Sequence, residues 1–115
     1  MARVTSGFFV SALMRRTTVT GGFAAIARKG AEDAGAVFIA MRERNGSIRF
    51  YAPAPQAGYQ VDEIEDRQFQ LLQHVTDDAA LSAFQAAESR FDPDFWIVEL
   101  ETASEILDLF AIMKP

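Results

Sequence analysis

A chain of 115 residues, half of them hydrophobic and with ten Phe and one Trp, is long enough for one core and too short for a catalytic domain plus a regulatory one. It has no cysteine, which excludes disulfides, thiolate catalysis and zinc-thiolate clusters and points to a reducing compartment, the cytoplasm. The net charge of −5 hides an asymmetry: residues 1–57 carry eight Arg or Lys against three acids, and residues 58–115 carry three against thirteen, so the two halves either neutralise each other or leave a basic patch for an anionic partner.

In chain order, "SGFFVSALMRR" opens on Ser6 as a cap and places Phe9, Val10, Leu13 and Met14 at helical spacing, which predicts a helix over about residues 7–18. No small-residue cleavage site follows Arg15-Arg16, so no signal peptide is expected, and no run is long and apolar enough to span a membrane. Short apolar runs then follow between glycines and prolines: residues 23–29, "GAVFIAMRER" and "SIRFYA", read as three antiparallel strands. Asn45-Gly46 signals a two-residue type I′ hairpin. That register sets Arg42 opposite Arg49, a like-charge pair needing a carboxylate, a bound anion or solvent; Glu99 and Glu101 are the expected compensation.

The acid-rich "QAGYQVDEIEDRQ" lacks the glycine-punctuated oxygen ladder of a calcium loop and reads as a solvated connection without metal. Residues 67–75 fit either element, a strand through the alternation of Phe69 and Leu71 or a helix through Ile64, Leu71, Leu72 and Val75, and a strand is the preferred reading. A second helix starts at Thr76-Asp77-Asp78, with Ala80, Leu81, Phe84, Ala87 and Phe91 on one face. Asp92-Pro93-Asp94 is a corner, because proline disfavours helical geometry before it and aspartate side chains bond nearby amides; "FWIVELE" then resumes as a strand. "TASEILDLFAIMKP" reads as a short C-terminal helix. The expected fold is a single α+β domain over 1–115: an antiparallel sheet of about four to five strands, helices chiefly on one face, an N-terminal helix, a second helix before the last strand and a short C-terminal helix.

Three stretches, "TSGFFVSALMRR", "GGFAAIARKGAEDAGAVFIAM" and above all "RFDPDFWIVELE", resemble a family of small bacterial proteins catalogued as domain of unknown function 1491. The resemblance covers most of residues 4–101, and its most specific element is Arg90-Phe91-Asp92-Pro93-Asp94 with Trp96 in the strand that follows. It implies a bacterial, cytoplasmic setting and carries over no activity, cofactor or catalytic residue. The tail from Thr102 onward does not share the pattern.

The candidate chemistry is thin. His74 is the only histidine, so it cannot anchor an ordinary zinc site, and no serine stands on a G-x-S-x-G elbow. No glycine loop of phosphate-cradling type is present, which leaves only a carboxylate pair for hydrolysis. The leading expectation is a non-enzymatic binding or interaction module without cofactor or metal, meeting an unknown protein partner or a second copy of itself through Phe8 on helix one and Phe110 near the C-terminus. The alternative is an anion binder using Arg15, Arg16, Arg28, Lys29, Arg42 and Arg49; the acidic pI of about 4.7 argues against nucleic acid.

Overall fold

The computed structural model describes residues 4–54, 67–75, 78–102 and 109–112. Its elements are α1 (Ser6–Val19), β1 (Phe23–Arg28), β2 (Val37–Arg42), β3 (Ile48–Pro53), β4 (Gln68–Val75), α2 (Asp78–Ser89), β5 (Trp96–Glu101) and β6 (Ala111–Ile112). The strands form one sheet in the order β1-β5-β2-β3-β4-β6. The sheet is mixed rather than antiparallel: β2 pairs parallel with β5, and β4 parallel with the two-residue β6. The expected strand over 67–75 is present as β4.

Helix α1 begins at Ser6, so its cap lies one residue before the expected one. Thr5 takes that role, its side chain accepting from Phe8 N at 3.1 Å, while Ser6 is buried and donates its hydroxyl to Gly35 O at 2.6 Å. The helix closes in a Schellman arrangement, with Gly21 N bonded to Thr18 O and Gly22 N to Thr17 O. Its stripe Phe9, Val10 and Leu13 packs on Val37, Ile39, Met41, Tyr51, Phe69, Trp96, Val98 and Leu100.

The opposite sheet face is buried as well. Phe38, Ala40, Ile48, Phe50, Ala52, Phe95 and Ile97 line it, and Leu81 and Phe84 of α2 cover it, the Phe84 ring lying 4.3 Å from that of Phe50. The helices therefore sandwich the sheet instead of sharing one face. "VFIAM" in β2 is buried at every position, the continuous apolar run that two-sided burial demands.

Two further expectations are corrected. Strand β1 does not neighbour β2: the α2 crossover returns the chain so that β5 inserts between them, antiparallel to β1. The hairpin loop has three residues, not two, because Asn45 does not take the positive φ of a type I′ turn. Gly46 N bonds Glu43 O at 3.0 Å, Gly46 alone turns left-handed at φ +90°, and Asn45 Oδ1 accepts from Ser47 N at 3.0 Å and from its hydroxyl at 2.6 Å. The register moves by one residue, setting Arg42 opposite Ile48 and Met41 opposite Arg49. A one-residue slip changes faces, so Arg42 and Arg49 stand on opposite sides of the sheet.

At the C-terminal end, Leu109 and Phe110 lie in a turn and Ala111–Ile112 pair with β4, so no helix runs through these positions. Phe110, expected at an interface, is 5% exposed and packs edge-on against Tyr51 and Phe69. Residues 56–66 of the acid-rich connection, the Thr76-Asp77 cap and positions 103–108 of the expected C-terminal helix lie outside the described residues. No helix among the described residues is long and apolar enough to cross a membrane.

Candidate functional site

The Asp92 corner is built as one unit with the loop before β2. Asp92 N closes on Glu88 O at the end of α2, and Asp92 Oδ1 accepts from Asp94 N at 3.0 Å, the local bond that the corner reading expects. Asp94 O accepts from Ala31 N at 2.9 Å, Trp96 Nε1 donates to Ala31 O at 2.8 Å, and Trp96 N donates to Ala36 O at 2.7 Å. A Cβ at Gly30 or Gly35 would collide with the Asp94 carbonyl, so glycines let the two loops lie backbone to backbone. Arg90 and Phe91 are exposed at the outer end of this unit.

Arg28 clamps the corner from β1. Its Nη2 donates to Pro93 O at 2.5 Å, its Nε to Phe95 O at 3.2 Å, and its guanidinium lies 4.3 Å from the centre of the Phe95 ring. Three contacts to one segment make this arginine a structural tie. Arg42 is also engaged, its Nε and Nη2 donating to Glu99 Oε1 at 2.9 and 2.6 Å. Arg49 pairs with Glu43 Oε1 at 3.3 Å, and its pKa is raised chiefly by a hydrogen bond with the Tyr51 side chain and then by the Glu43 charge. Arg15 and Arg16 are exposed on α1. The six basic residues expected to act together thus divide. Arg42 and Arg49 line an open groove of about 530 Å³ with Glu43, Arg44 and Glu101, where acids accompany the arginines.

A second, more enclosed cleft of about 370 Å³ brings together distant parts of the chain. Its walls include Val4 and Ser6 before and at the start of α1, Asp33 to Val37 entering β2, Pro53 and Ala54 at and just after the end of β3, Arg67 to Phe69 entering β4, and Asp92. The loop meets the helix start directly, with Ser6 N bonded to Asp33 O and Gly7 N to Glu32 O. Arg67 lies 5.1 Å from the Phe9 ring centre and donates to Val4 O at 2.8 Å. Val4, Val37, Pro53, Ala54 and Phe69 supply apolar walls, while two carboxylates and a guanidinium supply charge of both signs.

Sequence reasoning placed only Asp92 here. Arg67, Gln68 and Asp33 carry no local motif; only the meeting of three loops at one end of the sheet reveals them. The cleft does not assemble a serine nucleophile and base. Ser6 spends its hydroxyl on Gly35 O, and His74 lies six residues beyond Gln68 on β4, about 20 Å at the rise of an extended strand. Among the described residues no group of three or more His, Asp or Glu is arranged to hold a metal ion.

A family model described as a protein of unknown function, DUF1491, matches residues 4–108, seven residues further than the motif pattern reaches. The solution structure of protein Atu0922 from A. tumefaciens is similar with a TM-score of 0.81 at 40% identity, covering 99% of this chain and 98% of that one. A crystal structure of a DUF1491 family protein from Caulobacter crescentus CB15 is similar at 29% identity with a TM-score of 0.75, covering 98% of this chain and 100% of that one. An NMR structure of a DUF1491 family protein from the same organism gives 28% identity and 0.76, with 99% and 100% covered. No curated protein matches. The chain belongs to the DUF1491 family.

Proposed function

We propose that this protein is a non-enzymatic binding module and that the cleft at the start of α1 holds its ligand, a small molecule or chain end with an aliphatic body and a cationic head. The observation that carries this reading is the lining of the cleft, which combines Asp33 and Asp92 with the apolar residues Val4, Val37, Pro53 and Phe69. An apolar concavity of a few hundred Å³ with a few convergent polar groups is the usual form of a small-ligand site. Arg67, tied to Val4 O and stacked on Phe9, shapes the rim. The anion-binding alternative is disfavoured by the internal ties of Arg28 and Arg42 and by the carboxylate beside Arg49.

The test is titration of 15N-labelled protein with agmatine and with a carboxylate of matched length. The cation should shift the amides of Ser6, Gly35, Ala54 and Gln68, the carboxylate should not, and Asp33→Asn with Asp92→Asn should abolish the response. Shifts confined to other surfaces, equal responses to both probes, or no response at millimolar ligand would overturn the reading.

A further inference from the structure

At the other side of the sheet, β1 is an outer strand, and no described strand pairs with its outward edge. A free edge exposes a row of N–H and C=O groups, and soluble proteins ordinarily blunt it with proline, inward charges or a very short strand. Strand β1 has six residues, no proline and no charge before Arg28, and the irregularity in its pairing with β5, between Ile26 and Arg28, lies beyond the stretch from Ala24 to Ile26. It also displays apolar side chains on both faces: Phe23, paired with Glu101, is 58% exposed, and Ile26, paired with Val98, is 44% exposed. Between and after them stand Ala24, Ala25 and Ala27, small enough to let another backbone approach.

We propose that β1 pairs antiparallel with β1 of a second copy, joining two sheets across a two-fold axis. The strand fits itself. A register centred on Ala25 sets Ala24 against Ile26 of the second copy, small against large, with both pairs related by symmetry. Charge also fits: the two-fold brings the Arg28-Lys29 end of one strand to the end of the other copy's sheet where Glu101 is exposed. Arg28 is held by its own corner, so Lys29 is the residue available to Glu101 of the second copy. This contact is independent of the cleft and differs from the interface through Phe8 and Phe110.

Sedimentation velocity of the full chain from low micromolar to submillimolar concentration tests the pairing. Wild type should shift from monomer to dimer, and amide exchange in β1 should slow as dimer forms. Ile26→Lys should remove the dimer while circular dichroism and the melting transition show a folded monomer. Lys29→Glu and Glu101→Lys should each weaken the dimer about fivefold, the effect of two symmetric surface ion pairs, and the double reversal should restore it. A monomer throughout the range overturns the proposal. So does a dimer indifferent to Ile26→Lys and to both single reversals, or concentration-dependent protection confined to β4, where Leu71 and Leu72 are exposed.

Discussion

Reversing one charge on the α2 side of the sheet should cost more than a surface substitution and less than a core one. Glu99 pairs with Ala40 in the parallel ladder, and its Oε1 accepts two bonds from Arg42 at 2.9 and 2.6 Å. The Arg42 and Glu99 side chains are 32% and 23% exposed, which puts the pair between two regimes. Exposed ion pairs contribute up to about 1 kcal/mol, whereas removing one partner of a buried pair costs about 3–5 kcal/mol. Glu99→Lys loses the charge-assisted bonds and adds repulsion, for an expected loss of about 2–3 kcal/mol. In a domain of this size that lowers Tm by about 8–12 °C, taking about 4 °C per kcal/mol. Urea and thermal unfolding measure it, with the m-value unchanged. High salt should shrink the difference, and Arg42→Glu combined with Glu99→Lys should recover at least half of it. A Glu99→Lys midpoint within the error of wild type, or a double-mutant cycle without coupling, would refute the claim that this pair holds β2 to β5.

Arg28→Ala should destabilise by about 2–3 kcal/mol through two lost bonds to carbonyls and the contact with Phe95, and Arg28→Lys should rescue less than half because an ammonium lacks the guanidinium fork; urea midpoints decide both. Asp92→Asn should retain stability, since the amide oxygen still accepts from Asp94 N, while Asp92→Ala should lose about 1 kcal/mol; equal losses in chemical denaturation would refute the corner role. Phe110→Ser should cost at least about 3 kcal/mol, and Phe8→Ser, at a position 56% exposed, should stay within about 0.5 kcal/mol of wild type; similar melting points for the two variants would contradict their placement.

Several elements were legible because their signals are local. The stripe of α1 and the helix-to-strand corner at Asp92-Pro93-Asp94 each follow from side-chain spacing and backbone preference within a dozen residues. Apolar periodicity also indicated which residues pack inward on α1, whereas Glu99, expected to compensate Arg42 and Arg49 together, meets Arg42 while Arg49 stands on the other face beside Glu43.

What remained was decided between segments far apart in the chain. A hairpin through Asn45-Gly46 is marked by its residues, but a two-residue loop needs a positive φ at Asn45 that the three-residue loop does not, and that local difference moves Arg49 to the other face of the sheet. Strand order was hidden for a related reason: β1 can satisfy its ladder with any neighbour of matching pattern, and only the return of the chain through α2 offers it β5 instead of β2. The continuous apolar run in β2 records burial on both faces without naming the helix that supplies the second cover. The cleft is the extreme case, because Asp33, Arg67 and Asp92 belong to three loops with no shared periodicity. Their chemistry is written in the sequence, but their proximity exists only where backbone hydrogen bonds tie the loop before β2 to both the start of α1 and the Asp94 corner.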